Sequence, residues 1–250
     1  MGINKNLESQ NVTEKDPSIL SLDEIEEIEK LTLRWIFQAV YDFEMEAHEI
    51  FLKSPDSVKD IAEDITRELL DRLSGFNVQQ RVYGTVDYKK ARYVILPEQT
   101  VRQTLFIDSK AEKENRSATI QMSQTSMWVR QRRSDAEVNE KGFLPEISEY
   151  GGKPYLTTTC LIHFKYHDDH KGIHHLREVT IAAIPNGKLQ GRYNPTVDDG
   201  IWLAGRNAPT LGEDFRVRVS FNRLKAKTSW RIQTLTYDQK NQGCVGSWQS

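Results

Sequence analysis

The chain has 250 residues, 38% hydrophobic and 28% charged, with 34 Lys+Arg against 36 Asp+Glu. This fits one large globular domain or two small ones and excludes a collagen, a disordered tail and a membrane-spanning chain, because no apolar run approaches about 20 residues. The near-neutral total hides an asymmetry: residues 1–75 hold 8 basic and 18 acidic side chains, and residues 76–250 hold 26 and 18. An acidic front and a basic remainder can present one positive surface to a phosphate-bearing partner, although a solvated acidic helix face would explain the front equally well.

Residues 1–20 show no hydrophobic period and read as a flexible N-terminal arm, polar and acidic, unlike a signal or transit peptide; the cytoplasm is the expected location. Ser21-Leu22-Asp23-Glu24 has the form of a capping box, so a helix starts there. Ile25, Ile28, Leu31, Trp35, Ala39, Phe43, Ala47 and Ile50 follow at three- or four-residue steps, giving an apolar stripe that runs until Ser54-Pro55. A second amphipathic helix spans about residues 56–73, with Val58, Ile61, Ala62, Ile65, Leu69 and Leu73 inward, and stops at Gly75.

After Gly75 the period becomes two. Strands are expected at about 82–89, 91–96, 104–111, 155–166 and 176–184, then at 215–221 and 230–237. Residues 117–132 read as a helix and 134–153 as a polar loop. Asn186-Gly187 marks a turn, and a Pro/Gly/Asn-rich stretch covers 192–212. No repeat is present, and one mixed α/β domain over residues 21–250 is the economical architecture. The two cysteines, Cys160 and Cys244, lack metal or disulfide spacing and read as reduced thiols. Trp35, Phe37 and Trp128 read as core or dimer contacts.

Asp108-Ser109-Lys110 sets a carboxylate and an ammonium two residues apart on one face of a strand. Phosphodiester hydrolysis can use that pair: a carboxylate holds a hard cation such as Mg²⁺, and a neighbouring lysine orients water or balances developing charge. The chain has four Asp-x-Lys triplets, so the spacing alone is weak. Residues 108–110 stand out because Leu105-Phe106-Ile107 forms a buried strand running into them and because Asp87, a second acid, lies one hairpin earlier. Glu63 on the second helix is a candidate third acid, with a plain surface role as its alternative. Arg216 and Arg218 alternate with Val217 and Val219, so both guanidinium forks leave one face of a strand and can reach guanine edges, with a half-exposed strand of salt-bridged arginines as the alternative. Arg206 in the preceding loop could reach a neighbouring base, and Arg116 after the reactive strand is a candidate contact to a phosphate or adjacent base, with a plain surface role as its alternative. His163, His167, His170, His174 and His175 cluster within thirteen residues and read as a surface hairpin in preference to a transition-metal site.

Six ordered segments, Ser21-Leu22-Asp23-Glu24, Ala62-Glu63-Asp64-Ile65-Thr66, Val86-Asp87-Tyr88-Lys89, Ile107-Asp108-Ser109-Lys110, Arg192-Tyr193-Asn194-Pro195 and Phe221-Asn222-Arg223-Leu224-Lys225, closely resemble those of SfiI-type restriction endonucleases. The resemblance implies a restriction-endonuclease-like α/β core of the PD-(D/E)xK type, a mixed β-sheet flanked by helices. It implies Mg²⁺-dependent cleavage of both DNA strands at an interrupted GC-rich palindrome, within a bacterial restriction-modification system. Homodimers assembling into a homotetramer are implied as well. Asp87 and Asp108 match the metal-binding acids, with Ser109 joining them at the metal and Lys110 at the position of the catalytic lysine. Val86 stands in place of the proline and Ser109 in place of an alanine, changes that remove no reacting group. Two other readings remain open from the residues: a repair or structure-specific nuclease on the same core, and a non-catalytic DNA-binding protein.

Overall fold

The first long helix begins where its cap dictates. In the computed structural model, which describes residues 15–53, 58–72, 80–81, 92–96, 101–113, 117–133, 136–168, 173–204, 217–238 and 243–250, Ser21 Oγ accepts the Glu24 N–H at 3.2 Å. Glu24 Oε2 accepts the Ser21 N–H in return at 2.9 Å, and helix α1 (Leu22–Asp42) follows. Its buried face is Ile25, Ile28, Leu33, Ile36, Phe37 and Val40. The expected stripe through Leu31, Trp35 and Ala39 lies to one side of this. Repeated four-residue steps overshoot the 3.6-residue turn by about 40° each, so a stripe built on them walks off the core face. The expected single helix also breaks: Phe43 leaves helical geometry (φ −104°, ψ 7°) before α2 (Glu44–Lys53). Helix α3 (Val58–Arg72) buries Ile61, Ala62, Ile65 and Leu69 as expected. Ahead of α1, a 3-10 turn at Pro17–Ile19, with Pro17 and Leu20 buried, lies against the body, and Lys15 bridges Val101.

Thirteen strands are described: β1 (Gln80–Arg81), β2 (Arg92–Leu96), β3 (Val101–Glu112), β4 (Ser117–Ile120), β5 (Trp128–Arg133), β6 (Ala136–Lys141), β7 (Ile147–Tyr150), β8 (Lys153–Asp168), β9 (His174–Ile184), β10 (Trp202–Ala204), β11 (Val217–Ser220), β12 (Ile232–Asp238) and β13 (Gly243–Val245). The large sheet runs β1-β2-β3-β8-β9-β12-β13, with β7 also on β8. Its central pair, β3 and β8, is parallel, and the other pairings are antiparallel. A parallel pair cannot be closed by a tight turn, and the chain between these two strands makes β4, the β5–β6 hairpin and β7. Residues 117–132, expected to be a helix, therefore form strands, and the expected loop over 134–153 forms two more. Strand β4 pairs with β11, about a hundred residues on, in a small sheet β10-β11-β4. The short helices α4 (Gln190–Tyr193) and α5 (Phe221–Lys227) complete the list, and α5 takes over at Phe221, where a strand end was expected.

Alternation splits the apolar residues of the sheet between two layers. On one face Leu105, Ile107, Ile162 and Phe164 pack under α1, α2 and α3; on the other Leu161 and Ala182 pack with Val217, Val219, Phe221 and Leu224. Asp108 and Lys110 have opposite parity to Leu105 and Ile107, so they face the second layer. Asn186-Gly187 is a turn as expected: Asn186 donates through Nδ2 to Glu146 O and Thr157 O at 2.8 Å, and the Gly187 N–H reaches Ser126 Oγ at 2.9 Å. A Cβ on Gly187 would sit 2.4 Å from Ser126 O, so this close approach requires glycine.

Candidate active site

Strand β3 is buried along its first seven residues, with one half-buried exception, and then opens. At that opening Lys110 Nζ lies 2.6 Å from Asp108 Oδ2, with side chains 25% and 20% exposed. Among the described residues the contact is an ion pair without hydrogen-bond alignment, and Asp108 Oδ2 is shut off from solvent with Lys110 as its partner. A carboxylate held by one ammonium and no hydrogen-bond donor can turn its oxygen to a hard divalent cation. The donor chemistry at Asp108 therefore fits such an ion. Ser109 has the opposite parity and is 6% exposed on the helix-covered face, so its hydroxyl is not presented beside Asp108; what it can offer on that side is its main-chain carbonyl. No cluster of three or more His, Cys, Asp or Glu side chains occurs among the described residues.

Two residues beyond Lys110 on the same face stands Glu112. Arg218 Nη2 is 3.3 Å from Glu112 Oε2, Arg218 Nε donates to Ser117 Oγ at 2.9 Å, and the Thr119 N–H approaches Glu112 Oε1 at 3.4 Å. His163, level with Lys110 in the parallel register, is fully buried with Nε2 3.8 Å from Glu112 Oε2, and meets Phe221 edge-on at 5.5 Å. Burial alone would push the Glu112 carboxyl up, but His163, the Thr119 amide and Arg218 together hold it below its ordinary value. Sequence reasoning missed this cluster. The signal was present as Asp-x-Lys-x-Glu over 108–112, a period-two row on one strand face.

Val217 and Val219 are fully buried and Arg218 lies on the outer side, as the alternation predicts. Its fork, expected to be free for a base edge, is instead engaged by Glu112 and Ser117. The cause is β4, which runs beside β11 with Thr119 opposite Arg218. Glu63 stands on α3, which packs on β3, with its carboxylate 3.9 Å from Lys59 Nζ. The histidines do not converge. His163 is interior, whereas His167 and His175 are cross-strand partners at the β8–β9 end, with His174 opposite Asp168. Phe37 is core, Trp35 packs against it in part, and Trp128 is 37% exposed. Both cysteines are free. Asp87, Arg116, Arg206, Arg216 and His170 lie outside the described residues.

A mixed sheet with a central parallel pair, carrying a carboxylate and an ammonium at i and i+2 where one strand opens, defines a restriction-endonuclease-like nuclease. The model of the family "Type II restriction enzyme SfiI" matches residues 41–235. The chain belongs to that family and is a site-specific DNA endonuclease. It is 35% identical over 243 residues to the type II restriction enzyme SfiI of Streptomyces fimbriatus, covering 92% of this chain and 90% of that one. Its fold matches tetrameric SfiI bound to cognate DNA with a TM-score of 0.83 at 33% identity, over 94% and 92% of the two chains. It also matches BglI bound to its DNA recognition sequence with a TM-score of 0.72 over 86% and 92%, a likeness of fold alone at 16% identity. Enzymes of this class generally use divalent metal ions. No helix among the described residues is long and apolar enough to cross a membrane.

Proposed function

We propose that the protein cleaves both strands of duplex DNA at an interrupted GC-rich palindrome, using Mg²⁺. The observation that carries this is the Asp108–Lys110 pair at the opening of β3, with a carboxylate oxygen held, among the described residues, by that lysine alone. Asp108, the Ser109 carbonyl and Asp87 would hold the ion; Mg²⁺ bound there would polarise the phosphate and acidify a water. Lys110 orients the attacking water and offsets charge as the P–O bond breaks in line. The products carry 5′-phosphate and 3′-hydroxyl ends. Asp87 completes a charge count that one carboxylate leaves short. Arg206 and Arg216 read base edges, Arg116 meets a phosphate or adjacent base, and Arg218, engaged by Glu112 and Ser117, braces β11.

Two protomers related by a two-fold axis set two equivalent sites against the two strands of a palindrome. Pairs of dimers assemble into a tetramer on two DNA sites, a reading supported by the DNA-bound tetramer of the similar SfiI structure. A bacterial cytoplasm is the compartment that fits a restriction enzyme. The test is incubation with long duplex DNA, with Mg²⁺ and with a chelator, followed by sequencing of the ends. Discrete fragments sharing one interrupted palindrome, formed with Mg²⁺ alone, are expected. Random nicking, or cutting that survives the chelator, overturns the reading.

A further inference from the structure

Beyond the reacting pair, the same sheet face continues into a cationic ledge. In the β3–β8 register Lys110 is level with His163 and Glu112 with Lys165, so Lys165 shares the face of Asp108 and Lys110, and His167 is next in that row. Opposite Lys165, strand β9 contains an irregularity: Lys165 pairs with Glu178, but Tyr166 pairs with Leu176. Leu176 and Val179 are both buried in the core under the helices. A bulge sets the two residues between them, Arg177 and Glu178, against one and breaks the alternation, which frees Arg177 from a fixed helix-side position; its charge is felt both beside Lys165 and at His48 of α2. With Lys113, Tyr166, His167 and Asp168, Lys165 and Arg177 line an open groove of ≈ 460 Å³, in which three cations face one carboxylate. Among the described residues, Lys113, Lys165 and Arg177 form no ion pair.

We infer that this ledge binds the DNA backbone, and that the β9 bulge exists to aim Arg177 into it beside Lys165. The inference rests on the nuclease reading above and adds a phosphate contact to it. Two or four strand residues separate Lys165 from the levels of Lys110 and Asp108, about 7–13 Å at roughly 3.3 Å per residue. At 3.4 Å per nucleotide along the duplex, the contacted phosphates lie about two to four nucleotides from the cut. Such contacts add affinity and fix position without reading sequence.

The test is the salt dependence of binding, measured on a duplex that the wild-type protein cuts, with Ca²⁺ in place of Mg²⁺ to hold off cleavage. Lys165→Gln/Arg177→Gln removes two contacts from each of the two protomers on a palindrome and should lower the slope of log K against log[salt] by about 4, so its affinity deficit shrinks about a hundredfold between 50 and 200 mM salt. The cleaved sequence and cut position stay unchanged. The charge-keeping variant Lys165→Arg/Arg177→Lys should retain the wild-type slope, and a thermal melt on each variant separates lost contacts from lost folding. A wild-type protein that cuts while the Gln variant keeps the full slope overturns the ledge alone. A wild-type protein without salt-dependent DNA binding overturns the nuclease reading and the ledge together.

Discussion

Two ion pairs of nearly equal length sit on opposite sides of this fold's division of labour. Glu29 and Arg231 meet at 2.7 Å and Asp108 and Lys110 at 2.6 Å. The first pair is interior, with side chains 2% and 0% exposed, and it is dressed with partners: Glu29 Oε1 accepts the Asn186 N–H at 2.7 Å, and Arg231 lies between the rings of Tyr193 and Trp230 at 4.2 and 4.4 Å. The second pair is partly open, and among the described residues its carboxylate oxygen accepts no hydrogen bond. Length does not separate the two pairs; the count of further partners does. The cations differ accordingly. A guanidinium keeps its charge and bonds in several directions at once, whereas an ammonium is a compact point charge that can orient one water.

Breaking each pair gives the largest contrasts. Lys110→Ala should lower single-turnover cleavage by at least about 10²–10³-fold, the scale of one aligned charge-stabilising group, while specific DNA binding with Ca²⁺ persists. Cutting within tenfold of wild type would remove Lys110 from the reaction. Glu29→Ala should instead cost stability, up to about 3–5 kcal/mol in urea unfolding, because Arg231 is left charged and buried with only the longer 3.6 Å contact to Glu26 to balance it. Glu29→Met/Arg231→Met, which removes both charges, should recover most of that loss. A double variant weaker than Glu29→Ala would show that the pair stabilises the fold outright and does not merely balance two buried charges.

The sequence carried the parts of this contrast that depend on local spacing. The capping box at Ser21, the inward face of α3, the strands around β3, β8, β9 and β12, and the Asp108–Lys110 step all follow from period and cap chemistry. Residues 117–153 did not, for a physical reason. Strand β4 is defined by its pairing with β11 far along the chain, and β6 is exposed at nearly every position, so no alternation of burial marks it. The error reached the site. With 117–120 taken as helix, Ser117 could not be seen beside Arg218, and the fork that appeared free is held. Glu112 lies two residues past the Asp-x-Lys step, but its partners come from β4, β8 and β11, which only the topology delivers.

Glu112 sharpens the comparison because it stands between the two cases, partnered like Glu29 yet about as open as Asp108, with its side chain 25% exposed. Its carboxyl is held below the ordinary value by His163, the Thr119 amide and Arg218 acting against burial. A depressed carboxyl adds stability that is fully present above the unfolded value, about 4.3, and is lost as pH falls through the folded value below it. Glu112→Gln should therefore cost about 1–2 kcal/mol at neutral pH, less than a buried pair because solvent screens the contact. The gap between wild type and variant should be the same at pH 7 and pH 6 and narrow below about pH 4.3, followed by urea unfolding across that range. A gap that stays flat to pH 3.5 would mean that the carboxyl is not selectively held ionised, and Arg218 would then be braced by Ser117 alone.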